Sequence, residues 1–148
     1  MRTEKKIIKS ESNLSKLCIN LDHMLRFLDR SFNINLGGCC FVASIIAELL
    51  EQDDISFDVA VYYDELFDTF HDIDCSQKHY AIIVNNIIIN NDDRDDDHQV
   101  FSEVTSEDLK NHYDECGWNT WYDPDYNEYV ANILREFYYA QTLSLREE

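Results

Sequence analysis

Two β-branched runs, His79-Tyr80-Ala81-Ile82-Ile83-Val84 and Ile87-Ile88-Ile89-Asn90-Asn91-Asp92, stand on either side of Asn85-Asn86. Asparagine tolerates the left-handed conformation that a two-residue hairpin loop demands, so this spacing predicts an antiparallel hairpin. With a two-residue loop, Val84 pairs with Ile87, Ala81 with Asn90 and His79 with Asp92. Directly opposed residues share a face, so His79, Ala81, Asn90 and Asp92 point the same way. Asn90 is then the diagonal neighbour of His79, about 7–8 Å away between backbones and within reach of its ring.

Upstream, Gly37-Gly38-Cys39-Cys40 opens the run Phe41-Val42-Ala43-Ser44-Ile45-Ile46-Ala47-Glu48-Leu49-Leu50-Glu51. The chain has only three glycines, and two of them lie here. They allow a positive φ just before a helix and leave free N–H groups at its mouth, where the dipole favours a thiolate. At about 100° per residue, Phe41, Val42, Ile45, Ile46, Leu49 and Leu50 form an apolar arc. Cys39 falls at the edge of that arc near Ile46 and Leu50. Cys40 falls on a flank with Ser44, Ala47 and Glu51, whose small side chains admit another element. The wheel therefore assigns Cys40 as the exposed thiol and Cys39 to packing.

The remaining elements surround these two. Residues 1–11 form a polar N-terminal segment, and residues 12–148 read as one domain with a sizeable core. From Ser12 or Asn13, Leu14, Leu17, Cys18, Leu21, Met24, Leu25 and Leu28 recur at helical spacing, with His23 an ordinary helix residue. Residues 55–63 alternate as a half-buried strand, and 64–76 read as an irregular loop. Asp92 to His98 is an acidic, solvated loop without the glycine and late glutamate of a calcium loop. Thr105-Ser106-Glu107-Asp108 starts a short helix that ends before Gly117. Pro124 suits the first turn of a last helix, whose aromatic stripe through Tyr126, Tyr129, Phe137, Tyr138 and Tyr139 closes the core. The order of elements predicts an α+β fold: a leading helix, a Cys-bearing central helix, an antiparallel sheet of three or more strands, and two C-terminal helices.

With 12 basic and 30 acidic residues the net charge is −18, which argues against nucleic acid as a partner. Five cysteines without regular spacing do not form a secreted disulfide framework, and no stretch resembles a signal peptide or a membrane span. A cytoplasmic protein is expected, with no membrane association.

A cysteine at a helix start, a histidine at a strand start and an amide or acid on the next strand supply a nucleophile, a base and an orienting group. The oxyanion would be met by the Cys40 N–H and by Asn33 or Asn35. Gly37-Gly38-Cys39-Cys40-Phe41 resembles the Gly-Gly-x-Cys-aromatic segment of arylamine N-acetyltransferases. Cys40-Phe41-Val42-Ala43-Ser44 is similar to the opening of the papain catalytic helix, and the element order resembles the papain-like and transglutaminase-like superfamily. Over residues 35–92 this resemblance implies a minimal papain-like core with Cys40 as nucleophile, His79 as base and Asn90 as third member, or Asp92 if the turn is one pair longer. Ile34 stands where papain-like enzymes carry a glutamine. Leu36 and Val42 replace the Arg and the acid of the acetyltransferases, so coenzyme A is not expected.

A cysteine hydrolase or acyl-transfer enzyme acting on an amide or thioester, in a protein or a small molecule, is the leading expectation, with no cofactor. The Cys40 sulfur should then lie within about 4 Å of the His79 ring. A zinc site from Cys39, Cys40, Cys75 and His79 is disfavoured, because adjacent cysteines chelate one ion poorly and no C-x-x-C pair exists. The alternative is a non-catalytic acidic module that occupies a basic partner surface.

Overall fold

The computed structural model describes residues 8, 10–32, 34, 39–62, 79–93, 98–115 and 124–146. Ser10 Oγ accepts the N–H of Asn13 at 3.0 Å and so caps helix α1, Glu11–Phe32, two residues earlier than the sequence pattern placed the start. One face of α1, Leu17, Cys18, Leu21, Leu25 and Leu28, is wholly buried. Helix α2, Cys39–Gln52, is buried on nearly every side. It closes in a Schellman motif: Asp54 takes φ 55°, its N–H reaches the Glu51 carbonyl at 3.1 Å, and the Ile55 N–H reaches that of Leu50 at 3.0 Å.

Four strands follow: β1, Asp58–Tyr62; β2, His79–Val84; β3, Ile87–Ile89; and β4, His98–Phe101. They form one antiparallel sheet in the order β3-β2-β1-β4. The β2–β3 hairpin has the expected register, Val84 opposite Ile87 and Ile82 opposite Ile89, with Asn85 and Asn86 at φ 48° and 66°. Both turn residues are left-handed, as a type I′ loop requires. Strand β4 was not anticipated; its residues are mostly exposed, which suits an edge that pairs only with β1.

The half-buried strand expected over 55–63 is shorter and is buried on both faces. Val59, Val61, Tyr80, Ile82 and Val84 join the main core, while Ala60, Tyr62 and Ala81 form a second cluster with Ile83 and Ile88. Period-two alternation misread β1 because its second face is built of small residues and tyrosine, types that are buried as readily as exposed.

Helix α3, Ser106–Glu115, starts with a reciprocal cap: Asp108 N–H donates to Thr105 Oγ1 at 3.1 Å, and Thr105 N–H to Asp108 Oδ2 at 3.0 Å. It packs along the small flank of α2, where Ser106 donates to Glu51 and Lys110 Nζ pairs with Glu48 at 2.8 Å. Helix α4, Pro124–Leu145, is fastened at its far end by a buried carboxylate. Asp53 receives two bonds from Arg146, at 2.8 and 3.0 Å, and one from Tyr138 Oη at 2.5 Å. The architecture is α+β, as the element order predicted. No described helix is long and apolar enough to cross a membrane.

Candidate active site

Cys39 is the first residue of α2, and His79 the first of β2. The thiol hydrogen-bonded to the His79 ring is that of Cys39, not Cys40. This corrects the helical-wheel assignment. The flank expected to admit another element does admit one, α3, and that helix buries Cys40. Its S–H donates to the Leu109 carbonyl at 3.6 Å, and it is 2 % exposed. Cys39, at the edge of the apolar arc, is the one that reaches the sheet.

The second ring nitrogen is also accounted for. His79 Nε2 lies 2.6 Å from the backbone carbonyl oxygen of Asn90. A carbonyl can only accept, so Nε2 carries a proton and Nδ1 is left to face Cys39. Asn90 is thus the neighbour of the ring, as its diagonal position implied, but the contact is made by its main chain rather than its amide. The reason is that β3 ends at Ile89 and Asn90 turns left-handed, φ 71°. The predicted Ala81–Asn90 and His79–Asp92 pairings do not form, and Asp92, itself at φ 59°, acts on the imidazole through its charge.

In the β2–β3 hairpin the even-numbered residues of β2 bond toward β3, and Tyr80 stands just beyond the last such pair, Ile82 with Ile89. The Cys39 sulfur receives hydrogen bonds from the N–H groups of Tyr80 and of Cys40. The thiolate therefore has three donors: the imidazole, one strand amide and one amide at the helix mouth.

These contacts decide which sulfur ionises. Burial pushes the Cys39 thiol up, but the bond from His79, its charge and the two amides outweigh it, leaving the pKa below its ordinary 9.0. Burial likewise pushes His79 down, while Cys39, the Asn90 carbonyl and the charge of Asp92 carry it above its ordinary 6.5. Both directions favour the charged forms, thiolate on Cys39 and imidazolium on His79, over what burial alone would allow. Cys40, deep and close to the charges of Cys39 and Asp114, is raised well above 9.0 and stays a thiol.

The pair is enclosed, Cys39 at 5 % and His79 at 1 % exposure. Tyr62 on β1 lies directly opposite His79, rings 5.8 Å apart, and on its other side meets His98 of β4 at 4.8 Å. Its hydroxyl donates to Asn91 Oδ1 at 2.5 Å. A cavity of about 260 Å³ lined by Arg26, Asp29, Arg30, Asn90, Asp92 and Asp93 adjoins the pair through Asn90, and its walls are polar.

Asn33, Asn35, Gly37, Gly38 and Cys75 lie outside the described residues, and with them the expected oxyanion donors and one thiol of the zinc alternative. Among the described residues no group of three or more His, Cys, Asp or Glu is placed to hold a metal ion. Sequence reasoning missed Tyr80 as an amide donor, Tyr62 beside the ring, and Asp22, which binds the N–H of Asn90 from α1 at 2.8 Å. The buried bond between Tyr80 Oη and His112 Nε2 at 2.7 Å, linking β2 to α3, was also unforeseen. Only the short β3 run before Asn90-Asn91 hinted at an early strand end. Comparison with protein-family models, curated proteins and solved structures finds no match.

Proposed function

We propose that this domain is a cysteine-dependent hydrolase or acyl-transfer enzyme acting on an amide or thioester, with Cys39 as the nucleophile and His79 as its acid–base partner. The observation that carries this reading is the Cys39–His79 hydrogen bond at a helix start, with the far ring nitrogen tied to the Asn90 carbonyl. The Cys39 thiolate attacks the substrate carbonyl carbon, and the carbonyl π electrons move onto oxygen. As the tetrahedral intermediate collapses, the imidazolium of His79 gives its Nδ1 proton to the leaving amine or thiol. The neutral ring then takes a proton from water or another acceptor that attacks the acyl-enzyme, and Cys39 leaves as thiolate. The Asn90 carbonyl holds the tautomer throughout, a role that suits a backbone oxygen as well as the amide or acid of a papain-like triad.

This reading keeps His79 as base and Asn90 as its neighbour, but it moves the nucleophile one position upstream, off the Cys40-Phe41 motif that carried the papain-like resemblance, and takes from Asn90 its main-chain oxygen. A reducing compartment such as the cytoplasm suits a protein whose described cysteines, Cys18, Cys39 and Cys40, are all free. An electrophilic acyl probe, followed by peptide mapping, tests the reading. Labelling at Cys39 that is lost in H79Q and kept in C40S supports it, and labelling that prefers Cys40 or Cys75 overturns it.

The near-complete enclosure of the pair favours a second reading, a non-catalytic acidic module whose charge of −18 meets a basic protein surface. In that case C39S retains full function and binding weakens steeply with salt.

A further inference from the structure

Asn90 is held from both sides. Its carbonyl receives His79 Nε2 at 2.6 Å, and its own N–H donates to Asp22 Oδ1 at 2.8 Å. Asp22 stands on α1, 68 residues away in sequence. Its other oxygen accepts Arg26 Nε at 3.2 Å, one helical turn on, and Arg26 Nη1 continues to Asp93 Oδ1 at 3.0 Å. Between these grips lies a left-handed stretch: Asn90, Asp92 and Asp93 all have positive φ, at 71°, 59° and 52°. Asparagine and aspartate tolerate this region but do not demand it, so a contact that fixes the amide selects it.

We propose that Asp22 is a positioning residue for the Cys39–His79 pair: by fixing the Asn90 N–H it holds that residue left-handed, aims its carbonyl at His79 Nε2, and keeps Nδ1 turned toward Cys39. The catalytic meaning of this role rests on the cysteine-enzyme reading, but the geometry is testable without any substrate. Among the described residues the groups facing the ring are the Cys39 sulfur from α2, the Asn90 carbonyl and Asp92 charge after β3, and Tyr62 from β1 with His98 beyond it. Changing Asp22 removes none of these groups; of them, only the Asn90 carbonyl is tied to Asp22 by a hydrogen bond through its own residue.

The test is NMR titration of the full chain with labelled histidine ring nitrogens and cysteine Cβ carbons, comparing D22A and D22N with the native protein. In the native protein neutral His79 is the Nε2–H tautomer. In folded D22A that preference is lost and the Cys39 thiolate fraction near neutrality falls about tenfold, one pKa unit. D22N, whose amide oxygen still accepts the Asn90 N–H, keeps the native tautomer. If D22A does not fold, R26A, which removes the brace on Asp22 and the tie to Asp93 but keeps the Asp22 carboxylate, shows the same change in smaller degree. Native tautomer and native Cys39 titration in folded D22A, or in R26A where D22A is unfolded, overturn the proposal, as does a D22N protein as impaired as D22A. A pair that responds to Asp22 but never accepts an acyl probe upholds the positioning role and removes the hydrolase reading instead.

Discussion

The backbone oxygen of Asn90, 2.6 Å from Nε2 of His79, fixes the imidazole as the Nε2–H tautomer. Because the contact is made by the main chain, the side chain at position 90 matters through the conformation it permits. Glycine enters the left-handed region freely, asparagine with little cost, and a β-branched residue with difficulty.

Asn90→Gly should therefore keep the tautomer of His79, while Asn90→Val should lose it and destabilise the fold by about 1–3 kcal/mol. Ring-nitrogen chemical shifts and urea unfolding measure the two effects. A glycine variant that behaves like the valine variant would show that the amide, not the carbonyl, orients the ring.

Alkylation by iodoacetamide at varied pH reports the thiolate directly. Burial slows the reaction at every pH alike, so the midpoint is unaffected by access. For Cys39 the midpoint should fall below 9.0, and in His79→Gln it should rise above that value, because burial then outweighs the amides. Cys40 should stay unmodified throughout, and equal reaction at both sulfurs would contradict the assignment.

Cys18, wholly buried on α1, is pushed up to about 11 by desolvation. Its thiol ionises at lower pH in the unfolded chain, near 9.0, than in the folded one. The stability it contributes is complete below pH 9.0 and is lost as pH rises through about 11. Unfolding free energies measured between those limits should decline in the native protein and decline less in Cys18→Ala, after allowing for that variant's uniform loss of packing.

Asp53 is 4 % exposed at its side chain and is bound by Arg146 and Tyr138. Asp53→Ala strands a guanidinium that is only 18 % exposed and removes the acceptor of a buried hydroxyl. Breaking one partner of a buried pair costs about 3–5 kcal/mol, so the urea midpoint should fall sharply without a change in the tautomer of His79. A loss under 1 kcal/mol would mean that the link contributes little.

Local patterns determined much of this molecule. Hydrophobic periodicity and capping residues placed α1 to within two residues, the Thr105–Asp108 cap and the hairpin register with its Asn85-Asn86 loop, because each depends on interactions within a few positions along the chain. The same patterns located the two segments that supply Cys39 and His79. With three glycines in the whole chain, six of the seven described non-glycine residues at positive φ are Asn or Asp, a substitution that can be read from sequence in turns. Which cysteine faces the histidine was decided by tertiary packing: α3 occupies the flank that a lone helical wheel leaves open, burying Cys40 and leaving Cys39 to reach β2. The early end of β3, the bond from the Tyr80 amide to the Cys39 sulfur and the grip of Asp22 on Asn90 belong to the same class. They join residues up to 68 positions apart, and no local propensity carries information about a contact that exists only once helices and sheet have packed.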